Sequence, residues 1–378
     1  MKVKVFEFIP VISEGGAETL VRDYCLLLKN SEFELVVVTV LPSDPCSSNY
    51  QTLLSNGVKI LSLNKKHWAD YNKIIRVFWR FTFFPLFSAY RFRKIIKQEN
   101  PQCIHAHLNV LEYLPFIHRT LKGIKLFFTC HSKPDIVFNK KYNLKQYLSA
   151  KFLIKHNSLR LIALHTLMCN QLNELFNINN TLVVHNGIDF KRFSNLDSEK
   201  YSTKKSLDID QNTFVVGHIG RFAPVKNHRF IVELFKRLYS IRTDTHLLLI
   251  GDGPLYKEIS DLINSLGLSK NVTILSHRKD IPRLLKCMDV FLLPSLYEGL
   301  PVSLVEAQVA NVRCLVSDCI TSECFFSENV VPLSLDDVDS WVTAILDSSV
   351  KGQYTGDISS FDMNNEIIKL ANLYSSNI

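Results

Sequence analysis

The sequence predicts an α/β protein with two parallel sheets, and two observations carry this prediction. Short apolar segments alternate with longer amphipathic ones in both halves of the chain, which is the pattern of βαβ units. The 378 residues also suffice for two domains, each with its own core. Apolar residues make up 47% of the chain and charged residues 21%, which is typical of a globular protein.

The strands are predicted from apolar and β-branched runs bounded by turn residues. In the first half they lie at Val3–Ile9, Glu34–Val40, Val58–Leu63, Cys103–His105, Lys125–Thr129, Arg160–Leu164 and Leu182–His185. In the second half they lie at Phe214–Ile219, Thr245–Ile250, Val272–Leu275, Val290–Leu293 and Arg313–Val316. Helices are expected between them, and a last amphipathic helix over Asn365–Tyr374. Its apolar residues on or near one face are Ile367, Ile368, Leu370, Ala371 and Tyr374.

The break between the two domains is predicted near residues 190–205. A polar run from Ser194 to Ser206 lacks clear periodicity there, which is typical of a linker or a solvated loop. We therefore expect one domain over residues 1–190 and a second over residues 191–360.

The net charge of +8 is unevenly distributed. Residues 1–190 carry 24 Lys and Arg against 13 Asp and Glu, whereas residues 191–378 carry 20 against 23. This asymmetry indicates either a polyanionic partner for the first half or a solubilising bias. Between Lys65 and Lys97, nine cations are interleaved with ten aromatic residues, which suits contact with an anionic membrane. Two ordinary amphipathic helices would show the same pattern.

The nine cysteines are scattered without a C-x-x-C pair, which favours reduced, mostly buried thiols in a cytosolic protein. We expect no secretory signal, because the apolar start is short and interrupted by Glu7. The longest apolar-aromatic stretch, Val77 to Phe92, contains Arg80, Pro85 and Arg91 and is too short to span a membrane.

The strongest site signal is the stretch from Asp289 to Gln308, where a buried strand leads through a loop into a helix. In parallel sheets, ligands bind beyond the carboxyl ends of strands, and a helix N-terminus there attracts phosphate. Gly299 allows close backbone approach, and Pro301 fits the first helical position. Glu298 is placed to reach sugar hydroxyls and Glu306 to accept two ribose hydroxyls, although both could be solvated glutamates. The predicted donor-binding residues here are Gly299, Leu300, Pro301, Val302 and Glu306.

Two further stretches follow strands. Arg221 and Lys226 come after Phe214–Ile219, and both can point at one diphosphate. Gly15 and Gly16 follow the first strand and could admit a phosphate, although a plain turn is the simpler interpretation. The Gly-Asp-Gly-Pro turn after Thr245–Ile250 is expected to be structural.

His105, His107 and His131 each lie at a predicted strand end. His105 and His107, two residues apart, share one face of an extended segment. Three histidines could suggest zinc, but no acidic or cysteine ligand is spaced to complete such a site. We therefore expect polar histidines, one of which could contact a reacting sugar, and no metal.

Together these stretches resemble the retaining glycosyltransferases of family 4, which have the GT-B fold of two Rossmann-like domains. The matching segments are GGAE at 15–18, HNGID at 185–189, GRFAPVKN at 220–227, LIGDGP at 249–254, and Glu298 with Glu306. They stand in the family's order and cover most of the chain. The second half is most similar to enzymes of bacterial capsule, exopolysaccharide and O-antigen assembly.

The resemblance implies a hexosyl transfer from a nucleoside diphosphate sugar, expected to be a UDP-sugar, with retention at the anomeric carbon. The acceptor would be a glycan or a lipid-linked glycan held mostly by the first domain, onto which the last helix, about residues 361–378, packs back. The protein would be cytoplasmic, either free or peripheral on the membrane's inner face.

The resemblance also implies residue roles. Arg221 and Lys226 would neutralise the donor diphosphate, Glu306 would bind the ribose, and Gly15 and Gly16 would lie at the donor phosphates. Glu298 would lie by the donor sugar and His131 beside the reacting centre, which makes these two the catalytic candidates. No metal or other cofactor is expected, because these groups supply the positive charge.

Two positions depart from the family, which commonly has glycine where Asn311 and Asn227 stand. A dinucleotide oxidoreductase is disfavoured, because Ser13–Glu18 does not supply G-x-G-x-x-G. A nucleic-acid-binding protein is disfavoured by the lack of a recognition module. The remaining alternative is an inactive sugar-nucleotide binder, against which the presence of all four charged site residues argues.

Overall fold

A computed structural model describes residues 2–29, 32–66, 84–193, 199–276, 278–347 and 358–376. The chain divides into two units, of which the first comprises Met1–Asn186 together with Asn365–Ile378. The second comprises Gly187–Asn364. In each unit one parallel sheet is covered by helices, as the alternating pattern predicts.

In the first unit, seven parallel strands form a sheet in the order β3-β2-β1-β4-β5-β6-β7. The strands are β1 (Val3–Ile9), β2 (Phe33–Thr39), β3 (Lys59–Ser62), β4 (Cys103–His107), β5 (Lys125–Thr129), β6 (Arg160–Ala163) and β7 (Leu182–Val183). The helices are α1 (Gly16–Leu28), α2 (Ser48–Ser55), α3 (Phe84–Glu99), α4 (Pro134–Val137), α5 (Leu144–Asn157) and α6 (Thr166–Phe176). The last helix, α13 (Met363–Ser375), belongs to this unit from Asn365 onward.

In the second unit, six parallel strands are ordered β10-β9-β8-β11-β12-β13. They are β8 (Phe214–Ile219), β9 (Thr245–Ile250), β10 (Val272–Leu275), β11 (Val290–Leu293), β12 (Arg313–Ser317) and β13 (Val330–Leu333). The helices are α7 (Lys200–Ser206), α8 (His228–Ile241), α9 (Tyr256–Ser265), α10 (Ile281–Cys287), α11 (Val302–Val309) and α12 (Val338–Leu346).

Both sheets reverse their strand order at one point, between β1 and β4 in the first and between β8 and β11 in the second. At such a switch point the loops beyond the carboxyl ends of the two central strands diverge and leave a crevice. Each unit therefore has one place where its topology favours ligand binding.

Most predicted strands are confirmed to within a residue or two, and three differences have physical causes. Strand β4 continues to His107, because both histidines find buried polar partners. Strand β13 was not predicted; it has four residues, contains Pro332 and pairs with β12 at the edge of the sheet, and a proline weakens a strand signal. The run from Ser194 to Ser206 was expected to be a linker or a loop, but its last part, Lys200–Ser206, is helical. Buried Lys204 donates there to the carbonyls of Gln211 and Thr213.

The last helix presents Ile367, Leu370 and Tyr374 to the core, whereas Ile368 is exposed and not part of the buried face. All nine cysteines are free thiols, and six are buried, as expected. Within the described ranges, no helix combines the length and hydrophobicity needed to cross a bilayer.

Candidate active site

The loop after β8 carries Arg221 and Lys226, and a second loop clamps its backbone. The N–H of Gly220 donates to Ile250 and that of Phe222 to Asp252, both over 2.9 Å, while Leu255 donates back to Phe222. Three hydrogen bonds thus hold the Arg221 segment against the Gly-Asp-Gly-Pro turn, and the expected structural role of that turn is confirmed.

Two glycines make this clamp possible. Gly251 and Gly253 have positive φ angles of 151° and 156°. A Cβ on Gly251 would lie 2.1 Å from the carbonyl oxygen of Gly220, and one on Gly253 would lie 2.5 Å from that of Phe222. Only glycine allows the two loops to approach this closely.

Lys226 and Glu298 are bonded to each other. The ammonium of Lys226 donates to Oε1 of Glu298 over 2.6 Å, and the side chains are only 16% and 14% exposed. The loops after β8 and β11, the two strands at the switch point, therefore place a cation and a carboxylate in contact. Sequence reasoning predicted both residues but not their ion pair, because they are 72 positions apart.

The loop after β11 leads into α11 as predicted, with a shift of one residue. Pro301 is the N-cap rather than the first helical residue, and Val302 begins the helix. Gly299, Leu300 and Pro301 are buried, and Glu306 is partly buried in the second turn. The free N–H groups of α11 thus lie next to the loop that carries Glu298.

Arg221 is exposed, so its guanidinium is accessible to a ligand. Beneath the same loop, His218 donates from Nδ1 to the carbonyl of Leu292 over 2.8 Å. Its buried Nε2 has no hydrogen-bond partner among the described residues. Burial and the neighbouring His228 and Lys226 hold the pKa of His218 well below its usual range, so this ring adds no positive charge.

Asparagine stands at positions 227 and 311, where the enzymes that this sequence resembles commonly have glycine, and both substitutions have the same explanation. Asn227 and Asn311 adopt left-handed backbone conformations, with φ of 55° and 57°. Asparagine tolerates this region better than other non-glycine residues. Asn311 also accepts a hydrogen bond from Asn329 at 2.9 Å. Both turns therefore keep the conformation that a glycine would favour.

In the first unit, Gly15 caps α1, and Glu18 folds back over it. A Cβ on Gly15 would lie 2.2 Å from Oε2 of Glu18, whose other oxygen accepts from Ser13 at 2.9 Å. Around Gly16, by contrast, no described atom lies within 4 Å of the place that a Cβ would take. Close packing against Glu18 thus explains the glycine at position 15, whereas the space beside Gly16 is open to a ligand.

The three predicted histidines lie together at the end of β4 and β5. Nδ1 of His107 is 3.0 Å from Nε2 of His131, and the His105 and His107 ring centroids are 4.1 Å apart. His131 lines a pocket of about 310 Å³ beyond the strand ends. The other lining residues are Pro10, Leu108, Asn109, Phe128, Ser132, Ile136, Val137 and Asn143.

An acidic residue does join these histidines, contrary to the expectation from spacing. Glu7, fully buried on β1, lies 2.8 Å from Nε2 of His107 and accepts from the Tyr374 hydroxyl at 2.9 Å. His105 bonds Tyr374 through Nδ1 and Thr129 through Nε2. The sequence signal was a charged residue within an otherwise apolar strand.

The ligand atoms of Glu7, His105 and His107 lie within 4.8 Å of one another. Each is engaged in the hydrogen bonds described above, so the geometry favours a polar network. The absence of a metal requirement stays a prediction.

Comparison with known proteins places these sites in a family. Residues 14–192 match the model "Glycosyltransferase Family 4" and residues 199–330 match "Glycosyl transferases group 1". Among curated relatives, the glycosyltransferase EpsF of Bacillus subtilis (strain 168) is 29% identical over 358 residues, covering 93% of this chain and 88% of its own. The UDP-Gal:alpha-D-GlcNAc-diphosphoundecaprenol alpha-1,3-galactosyltransferase of Escherichia coli is 28% identical over 268 residues, 67% of each chain.

Among solved structures, Anabaena Alr3699/HepE in complex with UDP superposes with a TM-score of 0.76 at 17% identity, covering all of both chains. At that identity the likeness shows the fold, which is GT-B. With both halves matched by glycosyltransferase models and the fold in agreement, the chain is a glycosyltransferase with a domain like Glycosyltransferase Family 4 followed by one like Glycosyl transferases group 1.

Proposed function

We propose that this protein transfers a hexosyl unit from a UDP-sugar to a hydroxyl of a glycan or lipid-linked glycan, with retention at the anomeric carbon. The observation that carries this proposal is the Lys226–Glu298 pair at the switch point of the second sheet, next to the start of α11. A cation for the diphosphate and a carboxylate for sugar hydroxyls stand side by side there.

The proposed chemistry depends on fixed positive charge. As the glycosidic bond breaks, negative charge grows on the leaving diphosphate, and Arg221, Lys226 and the N-terminus of α11 stabilise it. Glu306 accepts the ribose hydroxyls. Glu298 bonds hydroxyls of the sugar while its contact with Lys226 links sugar and diphosphate recognition.

Retention is what the family resemblance implies, and the same arrangement bears on the route by which it would occur. Glu298 is ion-paired with Lys226, which makes its carboxylate a poor nucleophile. A front-face route, in which the acceptor attacks from the side that the diphosphate leaves, is therefore favoured over a covalent intermediate. Proton NMR of the first product reports the anomeric configuration directly.

Relatives support the choice of donor and acceptor. The Escherichia coli relative is named for galactose transfer from UDP-Gal to a diphosphoundecaprenol-linked sugar, and HepE has been solved with UDP-glucose. A UDP-sugar donor and a lipid diphosphate-linked acceptor are thus the first pair to test, within assembly of a surface polysaccharide.

We further propose that the first unit binds an anionic membrane surface. Of residues 65–97, positions 67–83 lie outside the described residues. On α3, Phe84 and Phe92 are buried, whereas Leu86, Phe87 and Tyr90 are 49%, 39% and 65% exposed. The exposed apolar side chains stand beside exposed cations.

This apolar surface continues beyond α3. A groove of about 490 Å³ joins Leu86 to Phe116, Lys145 and Leu148, and Phe116 and Leu148 are 54% and 52% exposed. Lys145 lines this groove together with Glu112, and other exposed cations of the first unit are Lys65, Lys66, Arg93, Lys94, Lys97, Lys140 and Lys141. Apolar rings surrounded by lysine and arginine suit the interfacial layer of an anionic bilayer, where a lipid-linked acceptor would be presented.

The decisive experiment presents UDP-, GDP- and ADP-sugars to the protein and measures binding by saturation-transfer NMR and transfer by release of the nucleoside diphosphate. We expect UDP-sugars to bind and, with a lipid-linked glycan, to be consumed. Binding without transfer to any acceptor would indicate an inactive binder. Absence of binding to all three donors would contradict the proposal.

The charge assignment predicts that transfer needs no divalent ion. Activity should survive EDTA, because Arg221, Lys226 and backbone N–H groups neutralise the diphosphate. Loss of turnover on chelation and its recovery with Mg²⁺ or Mn²⁺ would show that a metal does this instead.

A further inference from the structure

Glu7 is buried inside the first unit, yet a row of hydrogen bonds connects it to the pocket at His131. Its Oε2 lies 2.8 Å from Nε2 of His107, and Nδ1 of His107 lies 3.0 Å from Nε2 of His131. Because His131 uses Nε2 in this row, Nδ1 is the ring nitrogen left for a ligand in the pocket that His131 lines.

Proton counting along the row allows two arrangements, since a neutral histidine has one N–H and one lone pair. If Glu7 holds a proton and donates it to Nε2 of His107, then His107 donates from Nδ1 to His131, which keeps its N–H at Nδ1. If Glu7 is ionised, it accepts from Nε2 of His107. His107 then accepts at Nδ1 from His131, and Nδ1 of His131 carries a lone pair.

We infer that Glu7 and His107 are positioning residues that set which tautomer His131 presents to its pocket. The inference rests on the proposed function, and it gives His131, which the resemblance puts beside the reacting centre, a contact with a sugar hydroxyl. Protonated Glu7 makes Nδ1 of His131 a donor to that hydroxyl, and ionised Glu7 makes it an acceptor. The change releases one proton: that of Glu7 moves to His107, that of His107 moves to His131, and the Nδ1 proton of His131 leaves through the pocket.

The surroundings make Glu7 the group that titrates. Burial raises the pKa of Glu7 to about 8, although the Tyr374 hydroxyl opposes this by donating to it. Burial lowers the pKa of His107 to about 3, and burial together with His107 lowers that of His131. Both histidines therefore stay neutral while Glu7 gains or loses its proton.

The other groups packed around Glu7 are uncharged at neutral pH. Burial raises the pKa of the tyrosines and thiols and lowers that of His105. These groups are Tyr24 and Cys25 of α1, Cys103 and His105 of β4, and Tyr374 of α13. The charged groups nearby are the carboxylates of Asp23 and Glu366, which contribute to the raised pKa of Tyr24.

The test is ¹⁵N-histidine NMR of the full-length protein between pH 6 and pH 10, with the His131 signals assigned through His131→Asn. We expect His131 to carry its proton on Nδ1 at pH 6 and on Nε2 at pH 10. One unchanging tautomer across this range would overturn the inference. The readout needs no donor or acceptor, so a missing transferase activity leaves the result intact.

Three variants sharpen the test. In Glu7→Gln the amide donates permanently to His107, so we expect the Nδ1–H tautomer of His131 at every pH. In Tyr374→Phe the carboxyl loses a donor, so the pH of the change should rise by half a unit or more. Thr129→Val removes an equally buried hydroxyl from His105 and should leave that pH unchanged. A Glu7→Gln protein that still switches, or a Tyr374→Phe protein that switches at the wild-type pH, would overturn the inference.

Activity provides a second readout. The kcat of the wild type should change across the pH at which the tautomer changes, and the kcat of Glu7→Gln should not change there. If the tautomer switches and no donor supports transfer, the proposed function fails while the control of His131 by Glu7 stands.

Discussion

The ion pair between Lys226 and Glu298 makes each side chain depend on the other. Both are about 85% removed from solvent, so losing one partner leaves a charge in a partly dry site. Under the proposed function, the diphosphate and the sugar hydroxyls are therefore not recognised by independent residues.

We expect Lys226→Met and Glu298→Gln each to raise the barrier to transfer by about 2–4 kcal/mol, the cost of losing one positioned group in the transition state. Because the side chains are in contact, the double variant should lose less than the sum, by about 0.5–3 kcal/mol. Steady-state kinetics with a UDP-sugar, on the wild type, the two single variants and the double variant, measure these losses.

Lys236→Met serves as the control, since Lys236 is an exposed lysine on α8, away from the pair. This variant should keep kcat/KM within twofold of the wild-type value. Additive losses in the double variant would mean that the two residues act separately.

Glu7 gives stability a pH dependence of identifiable sign. Its folded-state pKa of about 8 exceeds the ordinary value of 4.5, so the folded protein holds a proton that the unfolded chain releases. Stability from this group is complete below pH 4.5 and is lost as the pH rises to 8. The buried histidines have lowered pKa values and gain stability over the same interval, because in the unfolded chain they are still half protonated at pH 6.5. The contribution of Glu7 is therefore the difference between the wild type and Glu7→Gln.

Urea unfolding at pH 6.5 and pH 8 tests this dependence. Relative to Glu7→Gln, the wild type should lose about 1 kcal/mol per pH unit, which is below the limit of about 1.4 for one proton. The histidines contribute equally to both proteins and cancel in this difference. Equal slopes in the two proteins would show that Glu7 is already ionised at pH 6.5.

At the scale of elements, the site depends on two loops held backbone to backbone. Gly251 and Gly253 bring the turn after β9 against residues 220–222, and the Arg221 segment takes its shape from that contact. Packing between the two loops thereby positions the cations that we propose bind the diphosphate.

Gly251→Ala should destabilise the protein by about 3 kcal/mol, because the new methyl overlaps a backbone carbonyl and the backbone conformation is unfavourable for alanine. It should also weaken UDP binding at least tenfold, measured by calorimetry. Gly267→Ala is the matched control, because Gly267 has a φ of 72° and no described atom within 4 Å of its would-be Cβ. It should cost about 1–2 kcal/mol of stability and leave UDP affinity unchanged. Equal UDP affinities in both variants would contradict the clamp.

The sequence was sufficient for the central strands and for the loops that follow them. Val290–Leu293 and Phe214–Ile219 are buried on both faces, so their apolar runs are unambiguous. Strand β13 lies at the edge of its sheet, and helix α7 lies in a polar run. At both places the local composition gives little indication of the structure. The partners of Glu7 were beyond reach, because 100 positions separate it from His107 and only the strand order brings them together.

At the scale of the whole molecule, charge divides between the halves, with a net of +11 over residues 1–190 and −3 over the rest. The exposed apolar residues of α3, Phe116 and Leu148 lie in the positive half. Charge and exposed apolar surface thus coincide, which is what a protein that works on an anionic bilayer requires.

Vesicle co-sedimentation measures this contact. Binding should appear with anionic vesicles, weaken as salt rises, and fall at least tenfold when Arg93, Lys94, Lys97 and Lys145 become Gln, at about 1 kcal/mol per cation near the surface. The control replaces four exposed lysines of the second unit, Lys205, Lys236, Lys257 and Lys270, for the same change in charge. Equal losses of vesicle binding in the two sets of variants would refute a specific basic surface. Binding to neutral vesicles as strong as binding to anionic ones would refute it as well.

The hydrogen bond from Tyr374 to Glu7 spans 367 positions of the chain. During synthesis, the second residue of this pair leaves the ribosome only after the whole second unit has been made. Until then the carboxyl of Glu7 and the ring of His105 lack their shared hydroxyl, and α1 and β4 cannot close around a satisfied interior. The amino-terminal half is therefore synthesised first but can complete this buried network only after Tyr374 has been made.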